Sequence, residues 1–254
     1  MMGVQAWTFN RFTAFEAIEQ AAHAGAKYIE FYPGQKLRPG SEATLGQDMG
    51  DGPTAELRTQ LAKFGLRAIA FGVTGISTDP ARARALFQWV KGLGIRVINT
   101  ESTDALDTIE AMVKEFDIKV GIHNHPRRAN DPNYKVWDPA YVLSLVKNRD
   151  RRIGSCADTG HWVRSGIKPI DALRLLRGRI MGCHLKDLNE FTPTAHDVPY
   201  GTGISDIPAI LNEFRQQKFM GPASVEYEYN EDHSLPEVAS CLGFVRGFLS
   251  GKGR

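Results

Sequence analysis

The feature that most limits what this chain can fold into is a rhythm. A short apolar run rich in β-branched residues, a turn, and a segment of helical periodicity follow one another eight times. Strands are predicted at residues 4–9, 28–31, 68–72, 96–100, 119–124, 153–158, 181–185 and 223–227. Helices are predicted at 14–24, 54–64, 80–93, 105–116, 139–147, 169–176, 207–217 and 236–249. Strict alternation implies a parallel sheet, since a crossover helix returns the chain to run in the same direction. Eight units in 254 residues imply closure into a (β/α)8 barrel, a TIM barrel forming one domain over 1–254. An open doubly wound sheet is the alternative, but no Gly-x-Gly-x-x-Gly follows the first strand.

Local signals agree with this reading. Asp79-Pro80, Asp138-Pro139, Lys168-Pro169 and Leu235-Pro236 mark helix starts, and Gly25, Gly65, Gly94 and Gly221 mark the ends of others. Two longer connections, 33–53 and 189–205, are expected at the catalytic end of the barrel. With 42% hydrophobic residues the chain can bury a core without disulfides. Cys156, Cys183 and Cys241 are odd in number and widely spaced, as small core residues in a reducing compartment would be. Thirty-one Lys and Arg against 29 Asp and Glu give a net charge of +2, too small for a nucleic-acid binder. No apolar run reaches the roughly 18 residues of a membrane span. The expectation is a cytoplasmic protein, unless a signal peptide has been removed.

His, Asp and Glu fall mainly at the C-terminal ends of predicted strands: Glu30, Glu101, His123, His125, Asp158, His161, His184, Lys186, Asp187, Glu226 and Glu228. In a barrel these ends share one mouth. Any one of them alone reads as a cap or a buried hydrogen-bonded residue, but so many ionisable groups together require a cation or a polar substrate. Mixed carboxylate and imidazole donors suit manganese, zinc, iron or cobalt better than magnesium or calcium. Asp158, His184 and Glu226 are the expected ligands. His123 and His125, two apart on one face, divide into a ligand and a proton-transfer group. Lys186 and Glu228 are further candidate catalytic groups, and Glu30, His161, Trp162 and Asp187 are expected to contact substrate. His23, His196 and His233 default to the surface, although His196 lies in a loop that can approach the mouth.

Gly-Ile-His-Asn-His-Pro, Asp-Thr-Gly-His-Trp, His-Leu-Lys-Asp, Pro-Tyr-Gly-Thr-Gly-Ile and Ser-Val-Glu-Tyr-Glu together resemble the xylose-isomerase-like superfamily. That superfamily includes sugar-phosphate isomerases and epimerases, ketose 3-epimerases, inosose isomerases and dehydratases, and endonuclease IV. The resemblance covers almost the whole chain. It implies that Asp158, His184 and Glu226 match three ligands of the ketose 3-epimerases and that His161 matches a substrate-contacting His. Where the epimerases carry a fourth, Glu ligand this chain has His123. Glu101 is a second way to complete the set, at a strand position where the endonuclease branch carries a ligand.

The chemistry so implied is proton abstraction next to a carbonyl, with the enediolate stabilised by a divalent metal, manganese first and zinc, cobalt or iron(II) as alternatives. The leading expectation is a sugar isomerase or epimerase. The alternative is a dehydratase or eliminase (lyase) of 3-keto-sugars, keto-glycosides or keto-inositols, to which the strand-5 His pair is similar. A non-catalytic sugar-binding barrel is disfavoured by the extra acid–base groups. The expected partner is a small sugar or keto-sugar, with no nucleic acid and no membrane, and a homo-oligomer is compatible with the sequence.

Overall fold

In the computed structural model, which describes residues 1–251, eight parallel strands close into a barrel. They are β1 (Met2–Gln5), β2 (Tyr28–Phe31), β3 (Arg67–Phe71), β4 (Val97–Thr100), β5 (Lys119–His123), β6 (Ile153–Asp158), β7 (Ile180–Leu185) and β10 (Ala223–Val225). Strand β10 pairs with both β7 and β1, so the sheet has no free edge. A two-residue hairpin, β8 (Asp187–Leu188) with β9 (Asp197–Val198), stands above β7.

The helices outside the barrel are α1 (Ala14–His23), α2 (Asp51–Phe64), α3 (Pro80–Gly92), α4 (Leu106–Phe116), α5 (Pro139–Val146), α6 (Thr159–Arg164), α7 (Pro169–Leu175), α8 (Ile207–Gln216) and α9 (Leu235–Ser250). Their inner stripes follow the sequence period. In α1 the buried residues are Ala14, Ala17, Ile18 and Ala21, spaced for one face of a helix. Thr13 and Glu16 close a capping box at its start. The expected Asp79 and Asp138 caps accept hydrogen bonds from Ala81 and Ala140 N–H at 2.8 and 2.9 Å. The (β/α)8 fold class is therefore as expected, in one domain.

The differences from the expected elements are local and bear on the site. The first strand was expected to run to residue 9, but it ends at Gln5, whose side chain accepts from Trp7 N–H and turns Ala6–Phe9 into a 3-10 turn. The last ladder stops at Val225, so Glu226 and Glu228 lie beyond the strand. Helix α6, unforeseen, starts directly at the end of β6. Gly221 does not end a helix; a Cβ there would lie 2.4 Å from the Met181 carbonyl, so the residue serves close strand approach. Irregularities in the ladders between Ile29 and Glu30 and between Ser155 and Cys156 shift the register just before two acidic residues of the interior.

Candidate active site

Asp158 ends β6 and caps α6. Its Oδ1 accepts the His161 N–H at 2.7 Å, and its own N–H and carbonyl are both taken by the Asn124 side chain at 2.9 Å. The cap and ligand readings of this residue are thus compatible, since Oδ1 serves the helix and Oδ2 is left over. That second oxygen is buried, has no hydrogen bond, and lies 3.1 Å from Lys186 Nζ, 3.6 Å from His123 Nε2 and 3.9 Å from His184 Nδ1.

His184 is the register partner of Asp158 across β6 and β7 and of Ser224 across β7 and β10. Its Nε2 is 3.0 Å from Glu30 Oε1, whose carboxylate also accepts from Asn99 Nδ2 and Ser224 Oγ, each at 2.6 Å. Glu30 Oε1 has only lone pairs to offer, so the imidazole donates Nε2–H there and turns the Nδ1 lone pair toward Asp158 and Glu226. Glu226 Oε2 is 3.2 Å from that Nδ1, which has no hydrogen-bond partner. A lone pair facing two carboxylates in a buried site calls for positive charge between them, as a proton or a metal ion.

Lys186 is fully buried, and its ammonium lies 2.8 Å from Glu226 and 2.5 Å from Glu228. Burial opposes its charge, but Asp158, Glu226 and Glu228 outweigh that and hold its pKa well above the ordinary value. Gly160 makes room for the lysine stem, because a Cβ there would fall 2.7 Å from Lys186 Cδ. Glu228 is also held by Arg164, at 3.2 Å, and Arg164 binds Asp197 at 3.0 Å and the Ala195 carbonyl at 3.0 Å. One guanidinium from α6 thereby ties the β8–β9 hairpin to the mouth.

On the opposite side, Glu101 Oε1 accepts the Tyr134 hydroxyl at 2.7 Å and makes a short contact with His125 Nδ1. Burial opposes ionisation of Glu101, yet the nearby His123 imidazole and the contacts from His125 and Tyr134 prevail and hold its carboxyl well below the ordinary range. His123 sits between the two halves, with Nδ1 at 3.6 Å from Glu101 and Nε2 at 3.6 Å from Asp158. Both its ring nitrogens are buried without hydrogen-bond partners.

Ligand-type atoms of His123, Asp158, His161 and Glu226 lie within 4.8 Å of one another, and those of Glu101, His123 and His125 form a second group. The tautomer of His161 separates ligand from bystander. Its Nδ1 lies 3.1 Å from Arg164 Nη1, and a guanidinium only donates, so Nδ1 must accept. Burial holds the His161 pKa well below its ordinary value, so the ring is neutral and its proton is on Nε2. That nitrogen can donate to a substrate oxygen but has no lone pair for a metal. His123, Asp158, His184 and Glu226 remain; the buried atoms of the first three that lack hydrogen bonds, with the Glu226 carboxylate beside them, suit a borderline divalent cation.

A cavity of about 210 Å³ opens onto this set and is lined by His123, His125, His161, Glu226 and Glu228 on one side. Gln5, Trp7, Tyr32, Pro33, Gly72 and Val73 complete it. Three residues expected at the substrate are elsewhere. Glu30 lies beneath His184, spent on three hydrogen bonds. Trp162 is 1% exposed and packs in the core. Asp187 accepts N–H groups of Gly201, Gly203 and Ser205 at 2.8, 3.1 and 3.0 Å, so it folds the 199–205 loop, and a Cβ on Gly203 would collide with its carboxylate. His196 stacks on Tyr229 at 4.3 Å and does not line the cavity. Sequence reasoning missed Arg164, Tyr134 and the Trp7 wall. Only Trp7 carried a usable signal, as a large aromatic at the mouth end of the first strand.

A family model for the xylose isomerase-like TIM barrel matches residues 18–243. No curated protein matches the sequence. Among solved structures, an uncharacterised protein from Parabacteroides distasonis is 32% identical, covering 96% of this chain and 97% of that one, with a TM-score of 0.76. D-allulose 3-epimerase from Methylomonas sp. is 18% identical over 97% of both chains (TM-score 0.73). The probable 3-DHS dehydratase AsbF from Bacillus anthracis is 16% identical over 96% of this chain and 97% of that one (TM-score 0.63). The last two likenesses are of fold. The chain belongs to the xylose isomerase-like TIM-barrel family.

Proposed function

We propose that the protein is a divalent-metal-dependent sugar isomerase or epimerase that removes a proton from the carbon next to a carbonyl. The observation that carries this reading is the convergence of buried atoms of His123, Asp158 and His184 that lack hydrogen bonds beside Glu226, next to an imidazole, His125, backed by a carboxylate. His123, Asp158, His184 and Glu226 would hold the metal, with manganese(II) first and zinc, cobalt or iron(II) as alternatives. Bound there, the cation supplies a Lewis acid for negative charge developing on the substrate's oxygens.

The chain's own groups carry the proton. His125 gives Nδ1–H to Glu101, which leaves Nε2 as a base for the cavity it lines. His161 donates Nε2–H to a substrate oxygen. Lys186 fixes Glu226 and Glu228 and adds positive charge where the substrate gains negative charge. A cavity of about 210 Å³ suits a single small sugar, being below the roughly 300–1,000 Å³ of drug-sized sites. Epimerases among the similar solved structures support the same class. With its three cysteines free and buried, a reducing compartment, the cytoplasm, is the proposed location.

Elimination is the second reading. His125, which lines the cavity, can take a proton from one carbon and return it to a departing oxygen on its neighbour, whereas Lys186, expected to protonate that oxygen, is fully buried among carboxylates and does not line the cavity. A dehydratase shares the fold. Incubating manganese-loaded protein with ketoses, inososes and keto-glycosides and identifying the products separates the two. Isomeric sugars support the first reading and loss of water or aglycone the second. Turnover that survives chelation contradicts both.

A further inference from the structure

The wall facing the histidines and carboxylates is apolar, and it is built with care. Buried Gln5 accepts the Trp7 N–H at 3.1 Å and donates to the Gly72 carbonyl at 2.9 Å, so one amide fixes both the turn that carries Trp7 and the segment that carries Val73. Tyr32 meets Trp7 edge to face at 5.0 Å and sets the plane of the indole. Trp7 nevertheless remains 42% exposed, while it lines the cavity. A large aromatic that is held in place and left uncovered at the mouth is a surface awaiting a ligand face.

We infer that Trp7, Tyr32 and Val73 form a stacking subsite for the ring form of the sugar, so that the substrate is a closed pyranose or cyclitol with its carbonyl on a ring carbon. The inference rests on the sugar-enzyme reading above and names its substrate class. A six-membered ring presents a face of axial C–H groups and an edge of oxygens. The face matches the indole, and the edge then meets His161, His125 and the ligand set across the cavity. An open-chain ketose turns hydroxyls to both sides and offers the indole no continuous apolar face, so its desolvation there is uncompensated.

Equilibrium binding of unreactive probes tests this apart from turnover. Methyl β-D-glucopyranoside and myo-inositol are the ring probes and D-glucitol the open-chain probe, titrated by calorimetry and by indole fluorescence against metal-loaded wild type, Trp7→Ala and Trp7→Phe. The expected result is binding of both ring probes more tightly than glucitol, a loss of about tenfold or more in Trp7→Ala, and recovery of most of it in Trp7→Phe. Ring probes that bind Trp7→Ala as well as wild type, glucitol that binds as tightly as the rings, or no ring binding overturns the subsite. Metal content of Trp7→Ala should match wild type, because Trp7 offers no metal-ligand atom, and its thermal unfolding should fall only by the loss of the edge-to-face contact with Tyr32. If Trp7-dependent ring binding is found but no sugar is turned over, the subsite stands and the isomerase reading falls. If open-chain ketoses are turned over equally by wild type and Trp7→Ala, the reverse holds.

Discussion

His184 Nε2 lies 3.0 Å from Glu30 Oε1, a pairing between residues 154 positions apart that decides which ring nitrogen faces the mouth. A carboxylate on the far nitrogen fixes the tautomer and raises the basicity of the near one. Glu30→Gln keeps the volume but loses the charge. Affinity for manganese(II) should fall about 10–100-fold with the fold retained, as read by calorimetric titration. Unchanged affinity would mean that Glu30 serves only its neighbours Asn99 and Ser224.

The two histidines near Asp158 should separate cleanly. His184→Ala should abolish metal binding and activity while the barrel still folds, at a cost of about 1–3 kcal/mol because the buried Glu30 carboxylate loses a donor. His161→Gln should keep the metal and lose activity, because Arg164 holds the His161 ring in the tautomer that donates. In crystals soaked with manganese or zinc, metal density should lie within about 2.0–2.6 Å of Asp158 and His184. Metal bound instead by His161 would refute the tautomer argument.

Arg164 is 13% exposed and its partner Asp197 1%. Arg164→Met should destabilise the protein by about 1–3 kcal/mol, because it leaves a buried carboxylate without its charged donor. Adding Asp197→Asn should recover part of that loss. Urea unfolding of the single and double variants measures both. Equal stability of Arg164→Met and wild type would show that the hairpin is not anchored by this contact.

Strand ends, and little else, made the site legible in the sequence. Asp158, His184, His123 and Glu226 stand at or just past the ends of apolar runs, and barrel closure alone brings them together. What the sequence hid depends on depth and on crossing contacts. Glu30 also ends a strand, but the irregular pairing at Ile29 and the partners Asn99, His184 and Ser224 place it a layer below the cavity. Trp162 follows His161 directly, and helix α6 turns the two side chains apart. Asp187 spends both oxygens on loop N–H groups, which no spacing in the sequence announces. Arg164 looks like any surface arginine until the hairpin folds over it.

Glu101 links the site to acid stability. Its carboxyl is held below its unfolded value of 4.5, so its contribution to stability is present above that pH and is lost as the pH falls through the lower folded value. Glu101→Gln should therefore differ from wild type most near neutrality, with the gap closing in acid. Urea midpoints across pH measure it. A gap that stays constant into acid would contradict the assignment.

The central claim is proton abstraction by groups gathered around a bound divalent cation, and deuterium incorporation tests it most directly. Metal-loaded wild type, chelated wild type and His184→Ala are incubated in D₂O with a panel of ketoses, keto-glycosides and inososes, and the recovered sugars are weighed by mass spectrometry. The account expects carbon-bound deuterium in at least one sugar with metal-loaded wild type, and none after chelation or in His184→Ala. Incorporation that persists without metal, or no incorporation into any of the panel by metal-loaded wild type, would contradict it.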